Sequence, residues 1–187
     1  MIKGREVFLL GSGPGVLHHR GAIESYIRRK NPLVVALNTQ SGIAAELIDV
    51  RVACHPVRLL ADCEAHIRLP QPLITPVSML PEDVRESLAS KPTLDFGLKV
   101  LPDGFEFGQY CCSIPNSLVV AYALAVVTSG KAERVLMSGF DGYGADDPRS
   151  QEMQSLLSQY QACPEAVPLV AVTPTRYTLP AQSIYAL

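Results

Sequence analysis

The chain of 187 residues predicts a Rossmann-like α/β domain: a doubly wound, mainly parallel sheet covered by helices on both faces. Short, wholly apolar runs rich in Val and Leu end in Gly, Asn or Pro, the pattern of parallel strands buried on both sides. Helical patterns lie between these runs, and that alternation is the mark of βαβ winding. A hydrophobic content of 48% over this length supplies one full core, so residues 1–187 are expected to form a single domain.

The strands are expected, in order, at Val7 to Leu10, in "PLVVALN", in "DVRVAC", in "RVLMSGFDG" and in "PLVAVTP". Gly21 to Lys30 reads as a helix with Ile23, Tyr26 and Ile27 on one face, and Pro81 to Ser90 as a second. "SLVVAYALAVVTSG", rich in Ala, suits a helix packed closely on the sheet and stopped by Gly130. Arg149 to Gln161 brings Met153, Leu156, Leu157 and Tyr160 together, with Asp146 or Asp147 near its cap and Pro148 in its first turn. Residues 69–108 are proline-rich and read as a loop-rich insertion with one helix.

A net charge of −2, with both signs spread along the chain, offers no basic face to a nucleic acid. No apolar run approaches the ~18 residues a membrane span requires, and no basic start precedes an apolar stretch, so a cytoplasmic protein is expected. Cys54, Cys63, Cys111, Cys112 and Cys163 form no C-x-x-C pair, which argues against a zinc site or a disulfide framework. Reduced thiols serving as core filler are expected, with a reactive thiol at Cys111 or Cys112 as the alternative.

Ligands of open parallel sheets bind beyond the carboxyl ends of the strands. There the sequence places Gly11-Ser12-Gly13-Pro14-Gly15, then Asn38, then His55 and Arg58, then Asp141 and Tyr143, and finally Thr173 to Thr175. A glycine loop between strand and helix lets backbone amides approach a phosphate; the alternative is a tight turn that needs glycine for its backbone angles. Val16 stands where a dinucleotide fingerprint has its third glycine, no acidic residue ends the second strand, and no Gly-Lys-Ser or Gly-Lys-Thr follows. NAD and a P-loop are therefore disfavoured. Asn38 suits a base or sugar contact or a turn. If a helix begins at Pro56, His55 and Arg58 face one ligand as a titratable base and a fixed cation; otherwise they are a surface pair. Of His18 and His19, only one can face a site. Asp141 suits a ribose hydroxyl, a metal or a turn.

"FLLGSGPG", "VVALN" and "NSLVVAYALAVVTSGKAERVLMSGFDGY" resemble the Rossmann-like core of bacterial CMP-sialic-acid-dependent sialyltransferases and of related pterin-pyrophosphokinase-like proteins. The resemblance is loose between Arg51 and Gly108. It implies CMP or a CMP-sugar as ligand, and sugar transfer in surface-polysaccharide biosynthesis. The nucleotide loop then falls on Gly11, Ser12, Gly13 and Pro14, with Gly15 in place of a serine. A cytidine or ribose contact falls on Asn38, a Thr-Ser pair on Asn116 and Ser117, the tyrosine on the leaving phosphate on Tyr143, and the last nucleotide-side turn on Thr173 to Thr175. Those sialyltransferases carry a histidine base after that tyrosine; this chain has no histidine after His66. A base would come from His55 or His66 instead. The pterin reading requires Mg2+ on acidic ligands, for which Asp141, Asp146 and Asp147 are the compact set.

"GPG…ALN", "GFDGY…EMQ" and "TPTRYTLPAQSIYAL" also resemble the small domain that follows an aldolase-type barrel in proteins of surface-polysaccharide clusters. That resemblance implies a non-catalytic accessory module of a longer protein, with an aldolase-like domain or a second copy of the chain as partner.

Overall fold

A computed structural model describes every residue of the chain except Asp103 and Ala145. The chain runs through β1 (Glu6–Leu10), α1 (Gly15–His18), α2 (Arg20–Lys30), β2 (Leu33–Leu37), β3 (Val50–Val52), α3 (Pro56–Ala61), α4 (Cys63–Arg68) and β4 (Leu73–Thr75). It continues through α5 (Glu82–Ser87), β5 (Thr93–Asp95), β6 (Gly97–Val100), β7 (Glu106–Phe107), β8 (Cys111–Ile114), α6 (Val119–Ser129), β9 (Arg134–Ser138), α7 (Pro148–Gln161) and β10 (Leu169–Ala171).

Seven strands form one parallel sheet in the order β10-β9-β1-β2-β3-β4-β5, the doubly wound Rossmann-like arrangement that the sequence predicts. Side chains alternate across each strand. Val7, Leu9, Val35, Val52, Val135 and Met137 therefore pack on one face with α6 and α7, while Phe8, Leu10, Val34, Ala36 and Leu136 pack on the other with Ile23, Tyr26 and Ile27 of α2. Helix α6 is buried from Val120 to Thr128 because a second sheet, in the order β6-β8-β7, covers it on the side away from the main sheet. A helix apolar all round needs such double cover.

Residues 69–108 do more than the loop-rich insertion expected of them. α5 is the expected helix, but β4 and β5 extend the main sheet and β6 and β7 build the second one. These strands are two to four residues long, too short for period-two alternation to register in the sequence. The first helix also begins earlier than Gly21 and breaks at His19. Gly130 caps α6 as expected but with a right-handed backbone, and the left-handed residue is Lys131 at φ 59°. Glycine is needed at 130 for space, since a Cβ there would lie 2.7 Å from the Ile2 side chain.

Candidate functional site

From β1 the chain winds outward to β5, then returns to lay β9 on the other side of β1. The loops leaving β1 and β9 thus diverge, and such a reversal opens a crevice at the carboxyl ends of the strands. A cleft of about 680 Å³ lies there, within the range of small-ligand sites. Gly11 to Gly13 border it after β1, Leu37 to Gln40 after β2, His55 and Arg58 after β3, Ser117 to Val120 at the start of α6, and Gly139 to Tyr143 after β9. Most of the residues expected at a site are therefore brought together.

Most amides of the glycine loop have partners within the protein. The amides of Gly11 and Gly13 donate to the carbonyls of Ser138 and Gly139 at 2.8 and 2.9 Å, and the Gly15 amide donates to Asp141 Oδ1 at 2.9 Å. Pro14 has no amide hydrogen, so Ser12 alone keeps an uncommitted amide in the loop among the described residues. None of the three glycines has a left-handed backbone; those angles belong to Gly139 and Gly142. The loop needs glycine for close approach: a Cβ at Gly11 would meet the Gly139 carbonyl oxygen at 2.5 Å, and one at Gly13 would meet Asp141 Oδ2 at 2.1 Å. Pro14 and Gly15 do not border the cleft.

Asn38 is a turn residue at the edge of the cleft. It turns the chain with φ at 51°, in the left-handed region that asparagine tolerates, and it borders the cleft. Helix α3 begins at Pro56, as the pairing of His55 with Arg58 requires, and both exposed side chains border the cleft beside Asp62. His66 is buried in α4 away from the cleft, which removes it as a source of the base. His18 and His19 also lie outside it, with His19 Nδ1 3.2 Å from the Tyr185 hydroxyl.

Ser117 borders the cleft but Asn116 does not; its Oδ1 accepts the Leu118 amide at 3.2 Å and so shapes the entry into α6. No side chain caps that helix, and the amides of Val119 and Val120, both at the cleft, find no partner among the described residues. The first amides of a helix have none within it. Thr173 and Thr175 do not border the cleft either. Thr173 Oγ1 accepts the Gly139 amide at 3.3 Å, while Thr175 Oγ1 donates to the Phe140 carbonyl and accepts the Tyr177 amide. Both threonines hold the loop after β9 in place. Tyr143 borders the cleft, with the Arg149 guanidinium 4.2 Å from its ring centroid.

Among the described residues, no three His, Cys, Asp or Glu side chains gather as metal ligands. The acidic set of the pterin reading is not assembled: Asp141 is bonded to Gly15, and Asp147 caps α7 and pairs with Arg149. All five cysteines are unpaired, and burial pushes the thiols of Cys54 and Cys112 up to about 12.

Thr39, beside Asn38 at the end of the second expected strand, also borders the cleft, and Gln40, Asp62, Met153 and Tyr177, which were not expected, line it too. Gln40 directly follows Asn38 and Thr39, so adjacency was a usable signal. Met153 reads as a core position of its helix, and Tyr177 reaches the cleft only through the fold-back after β10.

Protein-family models, curated proteins and solved structures provide no match to the chain. Among the described residues, no helix is long and apolar enough to cross a membrane.

Proposed function

We propose that the cleft binds a nucleotide or nucleotide sugar, a CMP-linked sugar first, and transfers the sugar to an acceptor hydroxyl in surface-polysaccharide synthesis. The observation that carries this reading is the meeting of the uncapped first turn of α6 with Arg58 and His55 around one cleft. Free first-turn amides and the helix dipole favour an anion. Arg58 is the one permanently charged cation among the described lining residues. Asn38 and Thr39 supply donors and acceptors for a base or ribose, and Leu118, Phe140, Met153 and Tyr177 supply apolar cover. The glycine loop contributes Ser12 rather than a full phosphate cradle.

In the transfer, the acceptor oxygen bonds to the anomeric carbon as the bond from that carbon to the phosphate oxygen breaks. The electron pair leaves on the phosphate of CMP, and His55 takes the hydroxyl proton. Arg58, the α6 amides and the Tyr143 hydroxyl stabilise the departing phosphate. The five unpaired cysteines support a cytoplasmic setting for this chemistry.

Thermal unfolding with CMP, CDP, UDP, NAD and S-adenosylmethionine tests the reading. A ligand at 100 times its dissociation constant stabilises by about 2.7 kcal/mol. CMP is expected to stabilise the protein and NAD and S-adenosylmethionine to leave it unchanged; no response to any cytidine or uridine nucleotide overturns the proposal.

One observation favours a second reading. Val57, Leu60 and Ile67 stand exposed on α3 and α4, close in sequence to His55, Arg58 and Asp62 of the cleft, as a docking face for an aldolase-like partner would. CMP-sugar turnover by the isolated chain counts against a non-catalytic module; co-elution with such a partner without turnover supports it.

A further inference from the structure

Arg51 is the largest fully buried side chain of the protein, and it stands in the middle of the main sheet, in register with Ala36 of β2 and Leu73 of β4. An apolar residue would suit that position. A guanidinium there loses its hydration, and burial lowers its pKa to about 10. No carboxylate pairs with it among the described residues, and its charge helps to hold the pKa values of the nearby buried His66 and Lys91 down.

Its hydrogen bonds lead to the cleft. Nη1 donates to the carbonyl oxygens of Asn38 at 3.1 Å and Gln40 at 2.7 Å, and Nε donates to Gln71 Oε1 at 2.8 Å. Gln71 then reaches the Ala45 carbonyl at 2.6 Å. The two carbonyls on Nη1 belong to the loop after β2 that borders the cleft. Gln40 carries the connection on: its Nε2 donates to the Gly11 carbonyl, and its Oε1 accepts the Ser41 and Gly42 amides at 2.6 and 3.1 Å. One guanidinium therefore ties the loop after β2 to the sheet, and through Gln40 to the loop after β1. The sheet itself needs none of these bonds.

We propose that Arg51 is a positioning residue of the cleft: by gripping the carbonyls of Asn38 and Gln40 it sets where the Asn38 side chain meets the base or ribose of a bound nucleotide. The ligand in this statement rests on the proposed nucleotide reading; the grip on the loop does not.

The test compares Arg51→Lys with Leu73→Val, a core truncation beside it in the sheet that touches neither carbonyl. Hydrogen exchange is followed at the Asn38 and Gln40 amides, which donate to the carbonyls of Val52 and Leu37. Arg51→Lys is expected to speed that exchange about tenfold more than Leu73→Val at equal loss of melting temperature. It is also expected to weaken CMP about tenfold, with Leu73→Val leaving CMP affinity unchanged. Equal exchange in the two variants overturns the proposal. Should wild type fail to bind CMP, the preference for CMP falls while the exchange comparison still decides the role of Arg51. Should Arg51→Lys fail to fold, wild type decides alone: the Arg51 guanidinium protons and the two amides are expected to exchange in one opening event. Amides exchanging more than about tenfold faster than those protons overturn the proposal.

Discussion

The Asp141 carboxylate accepts the Gly15 amide proton at 2.9 Å, so the loop leaving β9 occupies one amide of the glycine loop. Two loops from adjacent strands are thereby joined into one edge of the cleft. Among the described residues, α3 and α6 both start at that cleft without a side-chain cap, and α6 is the longer of the two.

Gly13 sits at the join, where a Cβ would lie 2.1 Å from Asp141 Oδ2 and 2.7 Å from the Gly139 carbonyl oxygen. Gly13→Ala is expected to destabilise the protein by about 1–3 kcal/mol through overpacking. Gly21→Ala, in α2 with nothing within 4 Å, is expected to stabilise it by about 0.5–1 kcal/mol. Urea unfolding of the two variants checks the opposite signs.

Asp141→Ala leaves the buried Gly15 amide without an acceptor, which costs about 1–3 kcal/mol. Asp141→Asn keeps an acceptor and is expected to retain most of that stability. Comparing denaturation midpoints at constant m-value decides the matter.

The central strands were legible because β1 and β2 are apolar on both faces, which only doubly covered parallel strands require. The four short strands of residues 69–108 were not, because their pairing partners rather than their own residues make them strands. The site shows the same division. Asn38, His55, Arg58, Asp141 and Tyr143 could be placed because they follow apolar runs, whereas Ser117 was placed only by the resemblance. The roles of Gly15, Thr173 and Thr175 could not, because they depend on which loop each one touches across the cleft. Arg51 sat inside an expected strand, and its grip on Asn38 and Gln40 depends on the register of β2 with β3.

Burial, opposed by Asp62 and assisted by Lys91 and Arg51, holds the His66 imidazole below its ordinary value of 6.5. As pH falls through that value the unfolded chain binds a proton there while the folded chain does not. Stability is therefore lost on acidification below 6.5, until the folded value is reached. His66→Asn, neutral throughout, is expected to lose less stability than wild type between about pH 7.5 and about pH 5.5. Urea midpoints across that window read the difference, and identical losses contradict the assignment.

Cys111 is exposed on β8 whereas its neighbour Cys112 and Cys54 are buried, with thiols pushed up to about 12. Alkylation of the native protein at about pH 8, followed by mass spectrometry, is expected to modify Cys111 well before either. Cys54 and Cys112 should react only after unfolding.

An amide NMR titration with CMP separates the first turn of α6 from the glycine loop most directly. The largest shifts are expected at Ser117, Val119 and Val120, joined by Asn38 and Gln40, with Gly13 and Gly15 moving less. Shifts centred on Gly13 and Gly15 that leave α6 unmoved, or no shift at saturating CMP, would contradict a nucleotide held at the start of α6.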